Sequence, residues 1–215
     1  SLLDANSFVE IGKSVTARST DFNLTETKAP SDGVITGYGV IDGNLVYVYS
    51  QDASVLNGTV GEMHAKKISG LYDLAMKTGA PVIGLVDCAG MRLQEATDAL
   101  EAFGSIYLKQ TLASGMIPQI TAVFGTCGGG MAIVPALTDF TFIEAKKGKM
   151  FVNSPNALDG NYTEKCDTAD AEFQSKETGL IDSVGTEEEI LGQIRQLISL
   201  LPSNFEDNDS YTECT

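Results

Sequence analysis

The sequence has few basic residues, and this shortage limits its partners. Lysine and arginine number 14 against 29 aspartates and glutamates, so the formal charge at pH 7 is −15. Proteins that bind nucleic acid present a basic face that replaces the counterions around the phosphates. We therefore expect no nucleic acid partner.

Histidine and cysteine, which carry much of metal and redox chemistry, are also scarce. His64 is the single histidine, and the four cysteines, Cys88, Cys127, Cys166 and Cys214, show no CxxC spacing. Zinc knuckles and disulfide frameworks need closely spaced cysteines. We expect reduced thiols and no metal site.

Long apolar runs are missing as well. A helix that crosses a bilayer needs about 20 consecutive apolar residues, and no such run occurs here. The first residues also lack the basic segment and apolar stretch of a secretory leader. These absences predict a cytoplasmic protein without a membrane span.

What the sequence does contain is enough apolar material for one compact domain, with 215 residues of which 43% are hydrophobic. Two segments repeat one order: PVIGLVD-CAG-MRLQEA and PQITAVF-GTCGGG-MAIVPA are each a proline, a buried strand, a loop of small residues and a helix. Short apolar strands that alternate with helices pair in parallel. We predict an α/β fold with both loops at the same edge of one sheet.

Turn and capping residues predict the other elements. Asp42-Gly43 divides GVITGYGVIDGNLVYVYSQD into two antiparallel strands. Residues 61–79 form a helix that stops at glycine, and residues 92–115 form one long helix. TDFTFIEA and KMFVN are strands, and a capping box of Thr186 and Glu189 begins the last helix.

The loop GTCGGG offers backbone N–H groups ahead of a helix, an arrangement that holds negative charge. A bound phosphate is one candidate, but the loop has neither the Lys-Ser/Thr ending of a P-loop nor GxGxxG spacing. An oxyanion that develops on a carbonyl during reaction is the other. By this interpretation the donors lie near Gly90-Met91 and Gly129-Gly130. Alternatively, the glycines only let a helix pack closely on the sheet.

Side chains offer weaker candidates for catalysis. His64 lies within a predicted helix and is interpreted as a packed or surface residue. Cys127 lies in the glycine loop, but the sequence supplies no base that would activate its thiol. Arg92 has two alternatives: it pairs with a phosphate, or it pairs with Glu95 or Asp87.

Several segments resemble the N-terminal domain of the biotin-dependent acyl-CoA carboxyltransferases, and in particular the propionyl-CoA and methylmalonyl-CoA types with their related decarboxylases. In chain order these segments are RSTDF, DGVITGYGVIDG, YSQDASVLNGTVGE, KTGAPVIGLVDCAGMRLQEA, ASGMIPQITAVFGTCGGG and PALTDFTF. The resemblance runs from about Leu2 to Asn204. It implies a crotonase-like ββα-superhelix as a single domain over residues 1–204. Residues 205–215 would then be an acidic tail or the start of a linker to a C-terminal domain.

The resemblance also implies the reaction, a carboxyl transfer between carrier-bound biotin and the α-carbon of an acyl-CoA. An enolate forms on the thioester and a second oxyanion on the biotin ureido oxygen. Carried over by position, Gly129, Gly130, Gly90 and Met91 are the oxyanion donors, and these residues with Arg92 and Gly128 cradle the coenzyme A thioester. The implied partners are a C-terminal carboxyltransferase domain or subunit, a biotin carboxyl carrier protein, and further copies in a homo- or hetero-oligomer.

Both loops depart from the family pattern. The first reads DCAGMRLQEA where DSGGARIQEG is usual, so Met91 replaces an alanine, and the second reads GTCGGGM where GPCAGGA is usual. The choice of acyl group and of carboxylation or decarboxylation therefore stays open. Lys13, Arg18 and Lys28 are candidates for the 3′-phosphate of coenzyme A.

Two other classes of function remain as alternatives. A non-catalytic scaffold or acyl-CoA-binding subunit would keep the fold without the reaction. A crotonase-type hydratase or hydrolase would need an acid on the pocket, for which Glu95 and Asp98 are the candidates.

Overall fold

The computed structural model describes residues 1–17, 29–153 and 167–207. The RSTDF segment, Arg18, Lys28, Cys166 and Cys214 lie outside these ranges, as does most of the acidic tail. Within the ranges, no helix is long and apolar enough to cross a membrane.

Eight strands form one mixed sheet. They are Val9–Ile11 (β1), Val34–Ile41 (β2), Asn44–Gln51 (β3), Val82–Cys88 (β4), Gln119–Gly128 (β5), Phe140–Glu144 (β6), Lys149–Phe151 (β7) and Ser183–Gly185 (β8). The helices are Glu62–Thr78 (α1), Ala96–Ala113 (α2), Ile133–Leu137 (α3), Ala171–Phe173 (α4) and Glu187–Leu200 (α5). The sheet order is β1-β2-β3-β4-β5-β6-β8, and β7 pairs with the far end of β5.

The predicted hairpin is confirmed. β2 and β3 are antiparallel and meet at a two-residue turn, with Ile41 opposite Asn44. Asp42 and Gly43 both have positive φ, 48° and 87°. This is the conformation that joins twisted strands most easily.

From β3 onward the strands are parallel, as the repeat predicted. β3, β4, β5 and β6 pair in that order, and β8 adds to β6. α1 connects β3 to β4 and ends at Gly79, which has the predicted left-handed conformation. Thr186 and Glu189 form the predicted capping box at the start of α5.

The sheet is covered on both faces. Val82 packs with the residues of α1 and α2, including Ile68 and Ile106. Its neighbour Ile83 packs with Ile190 and the rest of the apolar stripe of α5. Successive strand residues point to opposite faces, so β4 contributes to both halves of the core.

Two predicted elements differ from the structure. The helix predicted over residues 92–115 begins only at Ala96, because Leu93–Glu95 forms a 3₁₀ turn and Ala96 has a φ of 46°. Arg92 itself is extended, with φ −75° and ψ 98°, and its buried ion pairs hold it there. The strand predicted at KMFVN ends two residues early, at Phe151, and it pairs with the end of β5.

A close approach between β3 and β4 generates a test of this packing. An ideal Cβ on Gly84 would lie 2.3 Å from Cζ of the buried Tyr49, its partner in the sheet. We expect Gly84→Ala to lower the free energy of unfolding by about 1 to 3 kcal/mol through overpacking. Chemical denaturation measures this change.

Gly192→Ala is the matched control, because an ideal Cβ on Gly192 in α5 meets nothing within 4 Å. Alanine favours a helix interior over glycine, so this variant should gain about 0.5 to 1 kcal/mol. Equal effects of the two substitutions would contradict the close approach at Gly84.

Candidate functional site

The loops after β4 and β5 meet at one edge of the sheet. Cys88 and Cys127 are register partners, so the two chains leave the sheet at the same level. An ideal Cβ on Gly90 would lie 3.2 Å from the carbonyl oxygen of Gly128, and one on Gly129 would lie 3.8 Å from the Cα of Gly90. The structure therefore brings together the glycines that the sequence singled out.

In the first loop, Met91 lies beside Val60 in a short parallel bridge. Val60 donates its amide to Gly90 O at 2.9 Å, and Arg92 donates its amide to Val60 O at 2.9 Å. The amide between them, on Met91, points to the opposite side, because alternate strand amides face opposite ways. The amide of Gly90 donates to Cys88 Sγ at 3.3 Å, so Met91 is the better-placed donor of the two.

The second loop is shorter than its glycines suggested, because β5 continues through Gly128 and pairs there with β7. A 3₁₀ turn, Gly129–Ala132, follows and leads into α3. The parallel bridge of Gly128 with Phe151 engages the amide of Gly129, because alternate amides of β5 face β7. The first amides of a helical turn have no acceptor within that turn, which leaves Gly130 in the position of a donor. α3 has only 5 residues, so its dipole adds little.

Helix α2 lies directly behind this loop. Tyr107 donates its hydroxyl to Gly130 O at 2.5 Å. An ideal Cβ on Gly130 would lie 3.0 Å from that hydroxyl and 3.2 Å from the ring of Phe103. Sequence analysis missed Tyr107. Its spacing of four residues from Phe103, on one face of the helix, was the available signal.

Arg92 is buried in ion pairs and is 1% exposed. Its Nη1 contacts Asp32 Oδ1 at 2.5 Å and Glu95 Oε1 at 2.9 Å. Nη2 donates to Thr59 O at 2.7 Å, and Nε donates to Thr59 Oγ1 at 3.4 Å. Of the alternatives for Arg92, the structure shows the pairing with Glu95. Asp87 instead accepts from the amide of Thr126.

The carboxylate of Glu95 also has a second partner besides Arg92. Its second carboxylate oxygen accepts from the amide of Glu62 at 2.6 Å, at the first residue of α1. A carboxylate at a helix N-terminus is stabilised by unpaired amides. Both oxygens of Glu95 therefore have structural partners, and Asp98 is exposed on α2. Glu95 is therefore not available as the acid that a hydratase needs.

The two described thiols are protonated and packed. Burial raises the pKa of Cys88 to about 12 and that of Cys127 well above its ordinary value. Cys127 donates its thiol to Met131 O at 3.3 Å. A nucleophilic thiol needs a lowered pKa, so the structure does not support a nucleophile at Cys127.

His64 is a packed residue, as interpreted from the sequence. It is fully buried, with Nδ1 2.8 Å from Asp32 O and Nε2 3.1 Å from Gln51 Nε2. A carbonyl only accepts, so Nδ1 carries the proton and Nε2 accepts from the amide of Gln51. Burial, with a smaller effect from Arg92, lowers the pKa of His64 to about 3.

The buried charge of Arg92 gives a stability prediction. Arg92→Met keeps much of the side-chain volume but leaves Asp32 and Glu95 without their cation, at an expected cost of about 3 to 5 kcal/mol. Lys66→Met is the control, because that lysine is 60% exposed in its pair with Glu62 and should cost less than about 1 kcal/mol. Urea denaturation of both variants checks this, and similar costs would contradict it.

The lowered pKa of His64 gives a pH prediction. Between its folded pKa of about 3 and its ordinary 6.5, the unfolded chain binds a proton that the folded chain does not. Stability is therefore complete above about pH 6.5 and falls as the pH falls, by about 2 kcal/mol from pH 7 to pH 5 through this group. His64→Gln should remove that part of the pH dependence, as followed by denaturation at each pH. An unchanged pH dependence in the variant would refute the prediction.

Comparison with known proteins identifies the family to which this chain belongs. The family model of the carboxyl transferase domain matches residues 1–215. The chain is 42% identical over 207 residues to the methylmalonyl-CoA decarboxylase subunit alpha of Veillonella parvula, covering 94% of this chain and 41% of that protein. It is 41% identical over 207 residues to the propionyl-CoA carboxylase beta chain of Roseobacter denitrificans, again covering 94% and 41%. The chain thus spans about two fifths of the length of these relatives.

Solved structures share the fold. Transcarboxylase 12S, crystallised with hydrolysed methylmalonyl-coenzyme A, superposes with a TM-score of 0.93 at 32% identity, over 100% of this chain and 42% of that one. The beta subunit of geranyl-CoA carboxylase from P. aeruginosa superposes with a TM-score of 0.75 at 25% identity, over 94% and 41%. The predicted crotonase-like α/β fold is therefore confirmed. The chain belongs to the carboxyl transferase domain family, with the acyl-CoA carboxylases and decarboxylases among its relatives.

Proposed function

We propose that this chain is the acyl-CoA-binding, N-terminal half of a biotin-dependent acyl-CoA carboxyltransferase. It would hold a short acyl-CoA while a carboxyl group passes between carrier-bound biotin and the α-carbon. Residues 1–204 would form the domain, and residues 205–215 would lead toward a C-terminal domain or subunit. The observation that carries the proposal is the contact between the two glycine loops at one edge of the sheet.

The proposed chemistry depends on the backbone. As the bond at the α-carbon forms or breaks, negative charge collects on the thioester oxygen, and amides aimed at that oxygen stabilise it. Met91 on the first loop and Gly130 on the second are the donors that the geometry favours, while the amide of Gly90 is engaged by Cys88 and that of Gly129 by the bridge to β7. Carboxybiotin would supply the carboxyl group in one direction, and biotin would receive it in the other.

The loops leave room for a substrate. Among the described residues, an ideal Cβ on Gly129 meets only Gly90 Cα within 4 Å, at 3.8 Å. Any larger side chain there would fill the space in front of both loops. Gly128 contributes its carbonyl to the contact between the loops, and thus shapes the cradle rather than donating to it.

Arg92 does not reach the phosphates of coenzyme A, because four of its five N–H groups bind Asp32, Glu95 and Thr59 and its side chain is fully buried. Its role in the cradle is therefore to hold the first loop. Among the basic candidates, Lys13 is the described one, and its side chain is exposed.

A decarboxylase is the second candidate, favoured by the 42% identity to a methylmalonyl-CoA decarboxylase subunit. Both reactions pass through the same enolate, so the loops would serve either. The direction would depend on the biotin carrier and the other subunits. The hexamer assembly named for transcarboxylase 12S supports an oligomeric enzyme.

The test is a calorimetric titration of the chain with propionyl-CoA, alone and with the C-terminal half added. We expect saturable binding that is lost in Gly129→Val, because the new side chain occupies the space before the loops. Gly115→Val is the matched control. Gly115 also has a positive φ, 76° against 58° at Gly129, and nothing within 4 Å of an ideal Cβ.

Gly115→Val should bind propionyl-CoA as the unaltered chain does. Absence of binding even with the C-terminal half present would contradict the proposed function and favour a scaffold. Equal binding by both variants would place the thioester away from the loops.

A further inference from the structure

Three consecutive glycines, Gly128 to Gly130, end β5 and begin the turn of the second loop. Glycine has the greatest backbone freedom of any residue. Amides stabilise a developing oxyanion only when they are already aimed before the charge appears. A loop of this composition therefore needs an external contact that fixes its peptide planes.

Helix α2 makes that contact. Phe103 and Tyr107 lie one helical turn apart, with ring centroids 5.9 Å apart and planes at 29°. Phe103 is buried and lies against Gly130, and Tyr107 donates to the carbonyl of the same glycine. The stacked pair thus holds Gly130 by packing and by one hydrogen bond.

The carbonyl of Gly130 has a second donor. The amide of Ile133, at the start of α3, donates to the oxygens of Gly130 and Met131. An amide from α3 and a hydroxyl from α2 therefore restrain the same carbonyl. This carbonyl shares a peptide plane with the amide of Met131, and its orientation sets ψ of Gly130. Restraining it therefore fixes that plane relative to the amide of Gly130 at the front of the loop.

The hydroxyl remains a donor at ordinary pH. Burial raises the pKa of Tyr107 above its usual value, and the charge of a Cys127 thiolate would raise it further. A neutral phenol donates one hydrogen bond. The interaction is therefore present at neutral pH.

We propose that Tyr107 is a positioning residue for the second loop, fixing the backbone at Gly130 so that the amide of Gly130 faces the thioester oxygen. This inference rests on the proposed function. Tyr107 acts through the loop backbone and needs no contact with the substrate.

The test uses Tyr107→Phe in the full-length protein, with propionyl-CoA carrying ¹³C at the thioester carbonyl as the probe. Donors aimed at that oxygen weaken the C=O bond, so the bound carbonyl band moves to lower infrared frequency. We expect the variant to bind propionyl-CoA, because the cradle stays open. We also expect it to lose most of the frequency displacement seen with the unaltered protein.

Tyr72→Phe is the matched control. Tyr72 is a buried tyrosine on α1 whose hydroxyl donates to Gln119 Oε1 at 3.1 Å, near the start of β5 rather than at the loops. Loss of the Tyr72 hydroxyl should lower the stability of the fold, as followed by thermal unfolding. The carbonyl band of the bound ligand should stay displaced. Loss of stability alone therefore does not produce the expected signal.

The outcomes separate the two proposals. No displacement with the unaltered protein would overturn the proposed function, and the inference about Tyr107 with it. A displacement that survives in Tyr107→Phe would overturn the inference alone. An equal loss in Tyr72→Phe would also overturn it, because the hydroxyl of Tyr107 would then have only a general effect on the fold.

Discussion

The buried guanidinium of Arg92 joins parts of the chain that are far apart in sequence. It pairs with Asp32 before β2 and with Glu95 before α2, and it donates to the carbonyl of Thr59 before α1. A charge removed from water needs all of these partners at once. The first loop is therefore fixed at the end where Arg92 lies, because that end can move only if a buried charge loses its acceptors.

The second loop is held differently, by uncharged contacts. β7 pairs with the end of β5, and the aromatic pair on α2 lies behind Gly130. Both restraints act on backbone atoms. The donors that the proposed reaction uses are also backbone atoms. A family with this arrangement can change side chains beside the loops, such as Met91, and so alter the space for the acyl group while its donors stay in place.

Local signals predicted much of the fold. The turn at Asp42-Gly43, the glycine stop at Gly79 and the capping box at Thr186 each depend on a few neighbouring residues, and each prediction is confirmed. The repeated units also predicted that the two loops meet. The late start of α2 could not be predicted, because it depends on the pairing of Arg92 with a carboxylate 60 residues earlier. The contact of Tyr107 with the second loop likewise depends on how α2 crosses the sheet.

The burial of His64, Cys88 and Cys127 has a consequence for the kinetics of any enzyme that contains this chain. Imidazoles and activated thiols are the side chains that commonly change charge near neutral pH. Here the single imidazole of the sequence is held neutral, and both thiols are held protonated. The electric field that these three groups produce at the loops is therefore constant across neutral pH. A reaction rate that bends near pH 7 would therefore report on groups other than these three.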